Sequence, residues 1–260
     1  MPRVIFCGRS EQAGRTPHEA GAGLTKHTFA MFFPGFGFGY YLLFALPGLL
    51  LGFWAQYSLR STYARYAQVP TQTGVTGEDT AKRLMQATGL NIGIRGTAGQ
   101  LTDFYDPRSQ TINLSQSSTA DSVASVAVVA HEMGHAVQDA QGYTPMRLRA
   151  AIVPAVSLAG WVGPTMFLIG LWLNSPSLAL IGVIAFSAGA IFALVTLPVE
   201  FDASRRGLAM LQSTGILTQP ELPGAQKVLR AAALTYVAAA LQAVGTVLAY
   251  MMMLSGRRRV

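Results

Sequence analysis

Val128-Val129-Ala130-His131-Glu132-Met133-Gly134-His135-Ala136-Val137-Gln138 sets an H-E-x-x-H pattern inside an unbroken helical context. Residues four apart lie on one face of an α-helix, so His131 and His135 can present both imidazoles to a single ion. Glu132 stands beside the first and can reach a water on that ion, take its proton and return it to a leaving group. Such a short pattern also arises by chance on a solvated face. Against chance, two of the chain's four histidines fall in it, and the preceding run from Val123 to Ala130 is apolar and small enough to bury the helix. A buried Glu between two histidines is costly unless a cation satisfies it.

Around that helix, the 260-residue chain is 51% hydrophobic and only 12% charged. Soluble domains carry about a quarter charged residues, so this is the composition of a membrane protein. The single cysteine, Cys7, excludes an internal disulfide framework and a cysteine-rich zinc site. The net charge of +7 comes from arginines dispersed beside apolar segments, with no basic stripe interleaved with aromatics. It reads as membrane-flanking charge, and no nucleic-acid partner is expected.

Residues 1–30 are polar and Gly-rich and lack the apolar core of a signal peptide. They are expected to be disordered, and Met31 is an alternative start that would leave them untranslated. His18 and His27 fall there and are poor ligand candidates. Residues 31–57 hold a first transmembrane helix, charge-free from Phe36 to Tyr57, with Pro47 as a kink site. Residues 58–149 have the composition of a small α+β domain. An amphipathic helix is predicted from Gly77 to Gly89, a half-buried strand over Leu90–Arg95, and a β-hairpin from Leu101–Tyr105 through Asp106-Pro107-Arg108-Ser109 to Thr111–Ser115. The hairpin is expected to support the histidine helix, and one edge strand could also pair with an extended substrate backbone. Ser118-Thr119-Ala120-Asp121 predicts that helix over Thr119–Gln141, stopped by Gly142, with Pro145 preventing resumption.

Residues 150–199 read as a transmembrane hairpin, 200–230 as a polar segment, 231–254 as a fourth transmembrane helix and 255–260 as a basic tail. A large soluble core is a poor alternative, because four charge-free stretches exceed what a globule of this size can cover.

A catalytic zinc keeps three protein ligands and an open position for water. A third histidine at position 141 is ruled out by Gln141, which leaves the carboxylates Asp139, Glu200, Asp202 and Glu221. Glu200 is favoured. The membrane hairpin returns it to the side of His131, whereas Asp139 on the same helix would leave the ion little enclosure. Glu200-Phe201-Asp202-Ala203 follows Pro198 and is expected to begin a helix with Glu200 and Ala203 on one face, so Asp202 would point elsewhere, towards a ligand imidazole N–H or towards Arg205 or Arg206.

These residues, with Asp103-Phe104-Tyr105-Asp106-Pro107-Arg108, Pro198-Val199-Glu200-Phe201-Asp202-Ala203-Ser204 and four membrane segments in this order, resemble the YugP-type neutral zinc metallopeptidases of bacteria from about Met31 to Leu254. More distantly the chain is similar to the HtpX and Ste24 type of membrane protease, in which Glu-x-x-Ala-Asp supplies a zinc-binding Glu. The resemblance implies Glu200 as a ligand, with Ala203 at the motif's Ala. The chain departs from that pattern at its last place, having Ser204 instead of Asp. Enzymes of this kind also need an electrophile for the tetrahedral oxyanion. Tyr143, Arg205 and Arg206 are the candidates, with Arg205 favoured.

The expected fold is therefore a helical membrane protein with four transmembrane helices and a small α+β zincin-like domain, its H-E-x-x-H helix packed beside a β-hairpin. The expected function is that of a Zn2+-dependent endopeptidase, with Glu132 as general base and His131, His135 and Glu200 as metal ligands, acting on membrane-associated or misfolded polypeptides. A non-catalytic membrane scaffold or sensor with a structural zinc is the alternative. The expected location is the plasma membrane, multi-pass. Arg60, Arg65, Arg147, Arg149, Arg205, Arg206 and Arg230 put the catalytic side in the cytoplasm, although the tail Arg257-Arg258-Arg259 pulls the other way.

Overall fold

A computed structural model describes residues 37–257. The expected N-terminal extension 1–30, its two histidines and the end of the basic tail lie outside these residues.

Four helices are long and apolar enough to cross a membrane: α1 (Gly37–Ala67), α4 (Thr144–Trp172), α5 (Pro176–Thr214) and α6 (Leu222–Arg257). Each is apolar around much of its circumference, and Leu43, Phe53, Trp161, Trp172 and Ile184 lie well exposed. In water such surfaces would drive association; facing lipid tails they need no partner. Small residues let the helices approach closely. On α1 and α6, a Cβ at Gly48 would stand 2.5 Å from the Gln242 Cα.

Between α1 and α4 lies the compact part of the chain. Helix α2 (Gly77–Thr88) starts at Thr76, whose hydroxyl accepts the Asp79 N–H while the Asp79 carboxylate reaches back to the Thr76 N–H. It ends at Gly89 in the left-handed conformation, φ +70°. Strands β1 (Gly93–Gly96), β2 (Phe104–Asp106) and β3 (Thr111–Leu114) form a sheet of order β1-β3-β2. β1 pairs parallel with β3, β2 pairs antiparallel with it, and β2 is thus an edge strand. Helix α3 (Val123–Ala140) carries both motif histidines. Val123, Val126, Val129 and Met133 of α3, Leu84 of α2, Ile112 of β3 and Leu211 of α5 form one buried core. The apolar run that precedes the histidines is what anchors them there.

Several local expectations change. Asp103 is not in a strand: its carboxylate accepts from the Ser115 N–H and hydroxyl and from the Ser118 hydroxyl, tying the loop down. Gln116–Thr119 is a 3-10 turn, and α3 begins later than expected, with Ser122 Oγ accepting the Ser125 N–H. Pro145 does not prevent a helix. It occupies the first turn of α4, where its missing N–H costs nothing. α5 runs unbroken through Pro198 for 39 residues, so Glu200 lies inside a continuous helix and not at the start of a new one.

Candidate metal centre

α3 and α5 cross backbone to backbone. A Cβ on Gly207 would lie 2.6 Å from the Ala130 carbonyl oxygen, and Gly134 is equally tight against Ala203. That contact brings Glu200, one turn earlier on α5, under the two imidazoles of α3. His131 Nε2 is 3.2 Å and His135 Nε2 3.6 Å from Glu200 Oε2. One donor atom from each of the three residues falls within 4.8 Å of the others.

The surrounding hydrogen bonds leave those donors turned inward. Gln138, fully buried, donates its amide N–H to the Val199 carbonyl and to the Asp202 carboxylate. Both partners only accept, so the Gln138 oxygen must face His135 Nδ1 at 3.0 Å, and that nitrogen must carry the proton. The Nε2 lone pair of His135 is then free for a cation. His131 Nδ1 is held by the Ser204 hydroxyl at 3.0 Å. Ser204, at the place where the distant motif has Asp, therefore touches one of the two imidazoles directly.

Burial disfavours a charged His135, but Glu200, Glu132 and the Gln138 contact outweigh it and raise its proton affinity above that of an ordinary histidine. Two imidazoles and a carboxylate that is only 2% exposed converge on one point, and such a set calls for a cation. Two nitrogens and one oxygen with fixed outer partners are a zinc-type donor set.

Glu132 points towards the sheet. Its Oε2 accepts the Tyr105 N–H of edge strand β2 at 2.9 Å, and the Tyr105 hydroxyl donates to Asp139. Asp139 is thereby engaged with β2 and not with the histidines. Burial, followed by that bond to Asp139, pushes the Tyr105 phenol well above its usual range.

The remaining sequence candidates lie outside the cluster. Asp202 accepts from Gln138 and from both Arg205 and Arg206, so it reaches His135 only through Gln138. Arg205 is 79% exposed and turned to Asp202. Arg206 also reaches Gln141, and its guanidinium lies over the Tyr143 ring. Glu221 is elsewhere, accepting the Gln72 and Thr218 N–H groups.

Two residues that sequence reasoning passed over face the cluster. Arg149 of α4 donates to Glu200 Oε1 at 2.8 Å. Tyr236 of α6 places its phenol against Glu200 and in the field of Glu132 and Arg149. Spacing could not reveal either. One looks like a membrane-flanking arginine, and the other is a tyrosine in an apolar run.

Comparison with known proteins adds to this geometry. Residues 41–255 match the profile of a family described as "Putative neutral zinc metallopeptidase". The chain is 40% identical over 220 residues to "Putative membrane protease YugP" of Bacillus subtilis (strain 168), covering 84% of this chain and 98% of that protein. No solved structure matches the chain.

Proposed function

Since the chain belongs to the family described as putative neutral zinc metallopeptidases, we propose that it is an integral-membrane zinc endopeptidase that cleaves peptide bonds with an activated water. The observation that carries this reading is the convergence of His131, His135 and Glu200 beside Glu132. His131, His135 and Glu200 hold the metal in a zincin-like unit formed by residues 58–149, with 200–230 supplying the third ligand. What zinc contributes when bound is a Lewis acid that brings the pKa of a water towards ~7 and polarises the scissile carbonyl.

Glu132 takes the proton of the attacking water and passes it to the departing amine. Its bond to the Tyr105 N–H holds one carboxylate oxygen still, which leaves the other for proton transfer. Tyr236, whose phenol faces Glu200, replaces Arg205 as the preferred donor to the tetrahedral oxyanion. Arg149 anchors the second oxygen of Glu200, so that Oε2 is the one presented to the metal.

The substrates proposed are membrane-associated or misfolded polypeptides, because Glu200 stands on α5 directly after its charge-free stretch from Pro176 to Val199 and α3 packs against it there. The arginines near the membrane on this side favour a cytoplasmic site in the plasma membrane. A scaffold with a structural zinc would call for a closed four-ligand shell. Among the described residues the converging set has three members.

The test is zinc content and proteolysis of casein and of membrane substrates by the purified protein, beside Glu132→Gln. About one zinc in each, with cleavage by the native protein alone, supports the hydrolase. A native protein that takes up no zinc sinks it.

A further inference from the structure

A cavity of about 490 Å³ opens between α1 and α6, away from the histidines. Its wall combines the hydroxyls of Ser58, Ser61 and Thr62 with the cations of Arg65, Lys227 and Arg230, and no carboxylate lines it. Neither Lys227 nor Arg230 ion-pairs with a carboxylate among the described residues. Arg65 lies over the Tyr66 ring at 5.7 Å. Arg65, Lys227 and Arg230 are exposed, and three like charges gathered without a counter-charge present a positive potential that attracts an anion.

The depth of the cavity indicates which anion. Gly48 packs on Gln242 and Gly224 on Tyr66, so α1 and α6 run antiparallel in a register that sets Ser58–Tyr66 against Lys227–Leu234. Immediately before this level on α1 stand the exposed aromatics Phe53, Trp54 and Tyr57, the kind of belt that marks a membrane–water boundary. On α6 no charge occurs between Arg230 and Arg257. The cavity thus sits where headgroups lie, with Ala231 and Leu234 at its membrane-facing end. A neighbouring cleft of about 640 Å³ shares Arg230 and Leu234 and continues along Ala233 and Val237, which gives an acyl chain an apolar path.

We propose that this cavity binds the phosphate headgroup of an anionic membrane phospholipid, with Arg65, Lys227 and Arg230 on the phosphate and the Ser58 and Thr62 hydroxyls on its remaining oxygens, the Ser61 hydroxyl being engaged with the Ser58 carbonyl. Zwitterionic lipids are disfavoured because their ammonium would enter a site that already holds three cations. A bound lipid clamps α1 to α6. The site stands independently of the peptidase reading.

Full-length protein in neutral detergent is supplied with phosphatidylglycerol, phosphatidylcholine or inorganic phosphate. Bound lipid is counted by native mass spectrometry and thermal stability is followed in parallel. Phosphatidylglycerol is expected to be retained and to raise Tm, whereas phosphatidylcholine and inorganic phosphate do neither. Each cation near the surface contributes roughly fivefold, so Arg65→Gln weakens retention about fivefold and the Lys227→Gln/Arg230→Gln pair about thirtyfold. Lys82→Gln, on the exposed face of α2, is the control for general charge and leaves retention unchanged. Equal retention of phosphatidylcholine, equal loss in the control, or displacement of the lipid by millimolar inorganic phosphate each overturns the proposal. If the double variant does not fold, Arg65→Gln alone decides.

Discussion

Gly134 of α3 and Ala203 of α5 meet with no room for one more carbon: a Cβ on Gly134 would stand 2.9 Å from the Ala203 carbonyl carbon and closer still to its oxygen. The two residues belong to the two motifs that supply the donors, so the distance between their helices is also the distance between the imidazoles and Glu200. Gly134→Ala must push α5 away, at a cost of about 1–3 kcal/mol in overpacking. Zinc affinity is expected to fall at least tenfold, on the order of one misplaced outer partner. Chelator competition on the purified variant measures it, and wild-type affinity would show that the crossing does not set the site.

Gln138 joins α3 to α5 by linking His135 to Asp202 and Val199. Gln138→Leu keeps the bulk and strips every polar contact of the side chain, leaving the His135 Nδ1–H without a partner and the Val199 carbonyl with its helical one alone. Loss of an outer-shell partner typically weakens metal binding about 10–100-fold. The same range is expected here, together with about 1–3 kcal/mol lost in stability. Metal titration separates this from simple unfolding. A variant that melts early but binds zinc normally would make Gln138 a packing residue only.

How far the site was legible in the chain follows from where its residues come from. His131 and His135 declare themselves by spacing on one helix, and Glu200 by the scarcity of carboxylates and the return of the membrane hairpin. Arg149 and Tyr236 reach Glu200 from α4 and α6, and no local pattern encodes a pairing across three helices. Ser204 reads as a departure from a motif, yet its hydroxyl sits on His131. The same limit holds for the fold. The antiparallel β2–β3 hairpin is local and readable, whereas the parallel β1–β3 pairing is not. Pro145 and Pro198 mislead because a proline is harmless in a first turn and tolerated inside a long membrane helix, where its surroundings can re-satisfy the freed carbonyl.

Tyr236→Phe removes one hydroxyl from the neighbourhood of Glu200 and Glu132. If that hydroxyl donates to the oxyanion, kcat falls about 100-fold while zinc content and KM stay near wild type. A proportional rise in KM with kcat intact would instead assign the phenol to substrate binding.

Arg149 is the cation that Glu200 keeps within the protein itself. Removing it by Arg149→Gln leaves a carboxylate only 2% exposed with the imidazoles and the Tyr236 phenol but no permanent cation. Because the guanidinium is itself 31% exposed, the cost is discounted to about 2 kcal/mol. Zinc offsets the same charge, so the zinc-free protein loses more stability than the loaded one. The gap in Tm between the two forms widens in the variant. Equal losses in both forms would show that Arg149 acts on packing and not on the charge of Glu200.

Glu221 fastens the α5–α6 turn to the loop before α2. One carboxylate oxygen accepts the Gln72 N–H at 2.7 Å and the other accepts both the N–H and the hydroxyl of Thr218. Burial acts to raise its pKa, but the bonds from Thr218 and Gln72 outweigh it and hold the group below the usual glutamate value of 4.5. A depressed folded pKa contributes stability above the unfolded value, and that contribution is lost as pH falls through the folded value. Wild type is therefore expected to exceed Glu221→Gln by about 1–2 kcal/mol at pH 7, since hydrogen bonds to a charged acceptor are the stronger ones. The difference shrinks as pH drops below the ordinary glutamate range. Paired thermal melts across pH 7 to pH 3.5 measure it, and a difference that grows on acidification would reverse the assigned sign.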